Sequence, residues 1–477
     1  MNKKVYLVNL PKYEADTVPL GPAIMQSVAL ACGFEPHFTD LNLEVDEAKH
    51  NSKQAYDVWI SGLKNSSHGT MKNYIQICNK TIRDILKVDP EHVGVSFFST
   101  HSHSYGGVFL RRLRKLGYFG KVSIGGAGVG RASDEVLDGY LSAGLIDYYV
   151  RGDGEIAFEK ILKQQLPYPG VNNSNNIAIQ DMDGLPNPNF INFELDRYPK
   201  MFDKQTLAIE GSRGCVRNCG FCDIKLLFLK YRYKSGQRLY DEIMFNVRHH
   251  DIYTFWFTDS LVNGNQKEFR EMLRLLSDYN RQAPEDKRIK WTGQYIIRPA
   301  RQYIEEDFDL LVNSGCYTLA TGIESYSEKV RKQLGKNFSN NDIRWFFNKC
   351  QEYNISLFIM LLVGYPTETQ EDFEEGLSFF NEFEHLADDN TITGLQLGET
   401  MTVIEGSPSW KQRSELEITY ENLPNVRQDQ SWRNANSDLK QRIKRRLIAQ
   451  KKAVQKGFGI RSSKDHMDMF KRWMHGL

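Results

Sequence analysis

Short apolar runs and amphipathic helical patterns alternate along this chain, and the alternation is played twice. Val5–Asn9, His37–Leu41, Val93–Phe98, Lys121–Gly126 and Ile146–Val150 read as strands. Helical patterns lie between them, such as Pro22–Ala31 and the stretch through Phe109, Leu110, Leu113 and Leu116. A polar helical insertion runs from the second strand to about Asp89. From Thr206 the pattern restarts, with strand candidates at Thr206–Glu210, Thr254–Thr258, Ile289–Tyr295, Tyr317–Gly322, Ser356–Gly364 and Thr393–Thr400. The helices between these place apolar residues on one face, as Leu239, Ile243 and Val247 do. Short buried strands joined by helical crossovers require parallel sheets. The expected fold is α/β: a doubly wound, Rossmann-like parallel sheet, then a partial (β/α)6 TIM-type barrel, then a small helical C-terminal segment. The boundaries fall at 1–165 for the first domain, 166–200 for a linker, 201–402 for the barrel and 403–477 for the extension. Pro-rich Leu185-Pro-Asn-Pro-Asn-Phe190 can continue neither a helix nor a central strand, which marks the linker.

Charge and composition narrow the classes. The 477 residues carry 61 basic and 60 acidic side chains, a net charge of +1, so no global field draws the chain to nucleic acid or to a membrane. Met-Asn-Lys-Lys leads straight into a strand, and no window reaches the roughly 20 apolar residues that span a bilayer. A cytoplasmic protein in a reducing compartment is expected. Cys32, Cys78, Cys316 and Cys350 are scattered among apolar residues and suit plain core packing.

The other three cysteines are clustered. Leu207 to Ile224 reads LAIEGSRGCVRNCGFCDI, a strand running into a glycine-rich turn with Cys215, Cys219 and Cys222 spaced C-x3-C-x2-C. Three thiolates on one turn suit a single metal centre. A structural zinc site needs a fourth protein ligand, for which His249 or His250 would have to serve. The spacing, with Phe221 before the last cysteine, resembles the radical S-adenosylmethionine (radical SAM) enzymes. That resemblance implies a four-iron four-sulfur cluster on the three cysteines, with one iron left open to chelate S-adenosylmethionine. It further implies reductive cleavage to a 5′-deoxyadenosyl radical and a one-electron reductant such as a flavodoxin or ferredoxin.

In barrels of this kind the chemistry gathers at the carboxyl ends of the strands. Those ends carry the cysteines, Asp259 with Ser260 and Asn263, Arg298, Gly322-Ile-Glu-Ser325, Gly364-Tyr-Pro-Thr-Glu-Thr369, and Glu399–Met401. GIES, Leu334-Gly-Lys336 and LLVGYPTETQEDF are similar to the radical SAM pattern in order and spacing. By that resemblance Glu324 and Ser325 meet the ribose and methionine parts of S-adenosylmethionine, and Phe221 lies over its adenine. Gly364 and Pro366 shape the adenine end, and Asp259 takes the amino group. Arg298 neutralises the cofactor carboxylate or forms a structural ion pair.

Ligands of doubly wound sheets also sit outside the strand carboxyl ends. In the first domain those ends carry Ser96, Ser99–Gly106, Gly125-Gly-Ala-Gly128 and Val150–Glu155. GVSFFST, SIGGAG and VRGDGE resemble the cobalamin-binding domain of one radical SAM branch, which implies cobalamin against Ser96, Ser99, Gly125, Gly126 and Glu155. The chain departs from that branch after the first strand. Where Asp-x-His-x-x-Gly would ligate cobalt, Asn9-Leu-Pro-Lys-Tyr-Glu14 has no histidine. His101 and His103 read as solvated rim residues.

Asn436–Lys456 is a basic helix with Leu439, Ile443 and Leu447 on one face. Its default role is a solvated helix packed on the barrel. The alternative is a phosphate or nucleic-acid contact in which Trp410, Trp432 and Trp473 stack. The leading function is a radical SAM enzyme acting on an unreactive C–H bond of a small-molecule or polymer substrate. Cobalamin-dependent methyl transfer stands beside cobalamin-independent rearrangement or cyclisation, and a non-catalytic zinc or iron–sulfur module is the reading from another class. No residue is singled out as catalytic.

Overall fold

A computed structural model describes residues 3–11, 17–50, 68–201, 203–423 and 426–461. Lys12–Glu14 of the loop after the first strand and Trp473 lie outside the described residues. The chain divides into two compact units, one of Met1–Ala208 with Arg248–Thr254, the other of Ile209–Val247 with Phe255–Leu477.

The first unit is built on five parallel strands, β1 (Lys4–Asn9), β2 (Glu35–Asp40), β3 (His92–Ser96), β4 (Lys121–Gly125) and β5 (Tyr148–Tyr149), in the order β2-β1-β3-β4-β5. The period of two along β1 explains the layering. Val5 and Leu7 point to one face, into a cluster with Val28, Ala29, Phe34 and Phe158. Tyr6 and Val8 point to the other, into a larger cluster with Ile82, Val95, Phe109 and Leu113. Gly94 lets the first cluster close, because a Cβ there would lie 2.9 Å from Leu7 Cδ2. The strand order reverses between β1 and β3, which is where a ligand crevice is expected in such sheets. The polar insertion contains helices Leu41–His50 and His68–Val88.

The Pro-rich segment after residue 166 has little regular structure, yet it is laid along this unit. Phe193 stacks on Phe38 with ring centroids 3.9 Å apart, Tyr198 donates to Asp40 at 2.8 Å, and Gln26 donates to the Asn189 carbonyl at 3.1 Å.

The second sheet is open and runs in chain order through β6 (Thr206–Ile209), β7 (Thr254–Phe257), β8 (Lys290–Gln294), β9 (Cys316–Glu324), β10 (Ser356–Val363) and β11 (Ile392–Thr400). The pairs β8–β9, β9–β10 and β10–β11 are parallel. Side chains alternate along β10, where Leu357, Ile359, Leu361 and Val363 are buried. Helix Asn340–Glu352 begins with a capping box between Ser339 and Asp342, and helix Gln370–Glu382 with one between Thr369 and Asp372. The register shifts between Gly322 and Glu324, and Glu324 adopts φ +62°. A bulge with a left-handed residue bends the strand and re-aims its last side chain.

The C-terminal helix, Leu439–Gln455, corrects its sequence reading. Leu439 and Ile443 are buried as expected, but Arg442, Arg445 and Arg446 are buried too. Arg442 lies over the Trp432 ring at 3.7 Å and donates to the carbonyls of Gln430 and Trp432 at 2.7 and 2.8 Å. Arg446 donates to the Gly398 carbonyl at 2.8 Å. These charges are spent inside the fold, and Trp432 is fully buried with its indole N–H on the Met401 carbonyl at 2.9 Å. Neither offers a nucleic-acid surface. Among the described residues no helix is long and apolar enough to cross a membrane.

Candidate functional site

The cysteine loop leaves β6 through Gly211, where Ser212-Arg213 pairs antiparallel with Arg232-Tyr233. Gly214 then turns with φ +85°, and a Cβ there would lie 2.8 Å from the Lys230 carbonyl oxygen. Cys215, Cys219 and Cys222 follow, each partly exposed and free of disulfides. The Cys222 amide donates to the Cys219 carbonyl at 3.0 Å, and the Gly220 amide to the Leu334 carbonyl at 3.1 Å. Gly220 permits a close approach, since a Cβ there would fall 2.4 Å from Tyr365 Oη. Burial pushes the Cys219 thiol up to about 11; Lys336 pulls it down, while Glu324, Cys222 and Cys215 push it up.

Three free thiols on one loop, close enough to influence one another, fit a thiolate-ligated metal group. Among the described residues no three His, Cys, Asp or Glu side chains converge on a single metal ion. His250 instead packs edge-on against Phe190 at 5.8 Å in the first unit. A polynuclear iron–sulfur group, which holds its ligands apart by its own width, matches the donor set.

Asp259 ends the turn after β7 and is fully buried. Its oxygens accept from the Gly211 amide at 2.9 Å and from Ser212 Oγ at 2.6 Å. Burial pushes this carboxyl up to about 7, against the lowering effect of those two donors. Both oxygens face the root of the cysteine loop, which Asp259 ties to the end of β7. Asn263 likewise ties two strand ends, exchanging hydrogen bonds of 2.9 Å with the backbone of Ile296. Arg298 has no carboxylate partner among the described residues. It donates to the carbonyls of Asn263 and Gly264 at 2.7 and 3.2 Å, and its buried Nε has no partner among them.

Glu324, re-aimed by the bulge, accepts from Lys336 Nζ at 2.9 Å with both side chains largely buried. Lys336 belongs to the Leu334-Gly-Lys336 turn that lies on the cysteine loop, where a Cβ on Gly335 would come within 3.7 Å of the Cys219 Cα. The GIES strand and the cysteine loop therefore meet. Ser325 is buried and accepts the Ser327 amide at 3.2 Å. Phe221 packs against an apolar cluster of Val330, Leu334, Tyr365, Met401, Val403, Ile418 and Trp432. A cavity of about 240 Å³ opens beside Cys222, with Lys225 and Lys411 on its wall.

Gly364 and Pro366 each have one face against the C-terminal segment. Gly364 has φ +84° with Arg442 Cγ 2.5 Å from where its Cβ would be, and the Pro366 carbonyl accepts from Asn434 and Asn436 at 2.8 and 3.1 Å. Both look toward the C-terminal segment. The buried pair Glu368–Arg445 at 3.1 Å escaped the sequence reading, because a charge on a helix defaults to solvent and nothing local marked its partner.

In the first unit the β3 and β4 ends lie side by side, Ser96 opposite Gly125. Gly126 has φ +101°, and a Cβ there would meet the Phe97 carbonyl at 2.7 Å, so this glycine serves loop packing. Gly125 is open, its nearest neighbour to a Cβ being 3.9 Å away. Ser99 Oγ is buried without a partner among the described residues. Glu155 is buried in the first turn of helix Glu155–Leu162. His103 is not a free rim residue, for it bonds the Gly128 carbonyl at 3.0 Å and stacks on Tyr140. An orphaned hydroxyl after β3 and an open glycine at the end of β4 thus stand on this rim.

Residues 209–380, the span from the cysteine loop through the helix after β10, match the Radical SAM superfamily. That span therefore carries a radical SAM domain, a family that implies a four-iron four-sulfur cluster and S-adenosylmethionine, with a reductant and a substrate. The chain's overall fold is that of solved cobalamin-dependent members. The methyltransferase TsrM from Kitasatospora setae, solved with cobalamin and a [4Fe-4S] cluster, aligns with TM-score 0.63 and 17% identity over 87% of this chain and 75% of its own. OxsB, solved with aqua-cobalamin, aligns with TM-score 0.67 and 13% identity over 99% of this chain and 71% of its own. In sequence, an uncharacterized methyltransferase of Pyrococcus horikoshii is 24% identical over 63% of this chain and 66% of its own length. The anaerobic magnesium-protoporphyrin IX monomethyl ester cyclase of Synechocystis is 23% identical over 49% and 48%. The chain thus spans between about half and two thirds of these curated relatives.

Proposed function

We propose that this protein is a cobalamin-dependent radical SAM methyltransferase acting on an unreactive C–H bond, working in the cytoplasm with a flavodoxin or ferredoxin as electron donor. The observation that carries the reading is the loop of free Cys215, Cys219 and Cys222 at the carboxyl end of β6, set against Glu324 and Lys336. When bound, the cluster and S-adenosylmethionine supply reductive sulfonium cleavage and hydrogen abstraction, and cobalamin supplies a methyl carrier. The three thiolates hold the cluster, and Asp259 fixes the root of their loop. Lys336 holds the Glu324 carboxylate where cofactor hydroxyls can reach it. Phe221 and the apolar cluster behind it keep water from that side of the loop. Ser99 and Gly125, with Ser96 and Glu155 nearby, border the crevice for cobalamin. All seven cysteines are free, which suits a reducing compartment.

The test is anaerobic cluster reconstitution followed by reduction with S-adenosylmethionine, with cobalamin supplied or withheld. Production of 5′-deoxyadenosine is expected in the presence of reductant. S-adenosylhomocysteine is expected only when cobalamin is added. Zinc without iron in anaerobically purified protein would overturn the reading.

A further inference from the structure

The turn after β10 has two faces that alternate along the chain from Gly364 to Glu368. Its even-numbered residues are held by the C-terminal segment. The Gly364 amide donates to the Glu368 carboxylate at 3.2 and 3.3 Å, and Arg442 Cγ fills the space a side chain at Gly364 would need. The Pro366 carbonyl takes Asn434 and Asn436. Glu368 receives Arg445 twice, on its carboxylate and on its own carbonyl, each at 3.1 Å. Tyr365 and Thr367 look the other way. Tyr365 Oη donates to the Gln333 carbonyl at 3.4 Å, and Thr367 Oγ1 meets Gln333 Oε1 at 2.5 Å. Gln333 directly precedes Leu334-Gly-Lys336, and Tyr365 itself lies against Gly220 of the cysteine loop.

We propose that Arg445 is a positioning residue: acting through Glu368 and the turn, it sets Tyr365 and the Gln333–Lys336 segment against the cysteine loop, and so shapes the seat of S-adenosylmethionine. This rests on the function proposed above. A buried guanidinium whose Nε has no partner among the described residues is costly to keep, and an apolar residue of similar volume would pack at less cost. Its charge is retained for what it holds. Arg442 and Arg445 also give the basic helix a role that its charge pattern alone did not reveal.

The experiment compares wild type with Arg445→Met and Arg445→Lys, each with its cluster reconstituted. Iron content, thermal midpoint, S-adenosylmethionine Kd by equilibrium binding, and kcat against KM are measured. Arg445→Met is expected to hold the cluster with wild-type iron, to bind S-adenosylmethionine about tenfold more weakly, as loss of one charge-assisted contact does, and to raise KM more than it lowers kcat. Arg445→Lys is expected to recover most of the affinity. Glu368→Gln, which keeps an acceptor for the Gly364 amide, is expected to fall between them. A Kd unchanged in Arg445→Met overturns the proposal. So does a parallel loss of iron, thermal midpoint and affinity that Arg445→Lys does not rescue, since that is a merely structural role. If wild type loads a cluster and cleaves S-adenosylmethionine, either result defeats this inference alone; a wild type that loads no cluster defeats both.

Discussion

At the scale of single residues, Asp259 shows how the site is tuned before any cofactor binds. Its folded-state carboxyl is pushed up to about 7 by burial, above its ordinary value of 3.8. Between those values the folded chain keeps a proton that the unfolded chain has lost. Stability from this residue is therefore full at the acid end and falls as pH rises toward 7. In Asp259→Asn, the amide oxygen can accept from Gly211 and the amide nitrogen can donate to Ser212, whose hydroxyl turns to the Leu261 carbonyl 3.3 Å away. The denaturation midpoint of cluster-free Asp259→Asn is thus expected to depend less on pH between 4.5 and 7 than that of wild type. An unchanged pH slope would show that the carboxyl is not the titrating group. Asp259→Ala, which strands the buried Gly211 amide, should lose roughly 1–3 kcal/mol. Gly220→Ala should load less iron, because its methyl would fall 2.4 Å from Tyr365 Oη. The cysteines were legible in sequence because three ligands at fixed spacing are a local signal. The orientation of Asp259 was not, because which strand end its oxygens meet is a tertiary fact.

At the scale of elements, the strands were the most legible part of the molecule. Each of the six of the second sheet lies within a residue or two of its expected position, since a buried strand between helices has to be apolar along its length. The C-terminal helix was half legible. Its apolar stripe read correctly, whereas periodicity assigns every arginine to water and has no term for a carbonyl waiting inside. Beyond that helix the chain does something no pattern announced. Leu395 of β11 donates to the Gly459 carbonyl at 2.8 Å and accepts from the Arg461 amide at 2.8 Å, so a short parallel bridge covers the edge of the sheet. Uncovered edges recruit other chains. A chain ended after Gln455 is expected to exchange the Leu395 amide faster in hydrogen-exchange measurements and to aggregate more readily. Unchanged protection at Leu395 would show that the edge needs no cover.

At the scale of the whole molecule, what separates a methyltransferase from a cobalamin-independent enzyme on the same scaffold is whether the first unit binds its ligand. The strand order β2-β1-β3-β4-β5 makes a crevice at the β1–β3 switch point whatever the sequence, so topology alone cannot decide. The rim residues can. Gly126 and Gly128 are already used by packing, since a Cβ on either would strike a backbone carbonyl, at 2.7 and 2.4 Å respectively. Replacing them would damage the fold and teach nothing about a ligand. Gly125 is different, because only Val150 lies near its missing side chain. Gly125→Leu should therefore fold with a thermal midpoint close to wild type while filling the space a corrin would need. Supplied with hydroxocobalamin, wild type is expected to retain it through gel filtration, read from its visible absorbance, and Gly125→Leu to lose it. Gly125→Leu should still load its cluster and make 5′-deoxyadenosine, because the cysteine loop is in the other unit. If both proteins retain cobalamin equally, the ligand does not lie over β4; if neither does, the first unit is a scaffold and the hydrogen-abstraction chemistry proceeds without a methyl carrier.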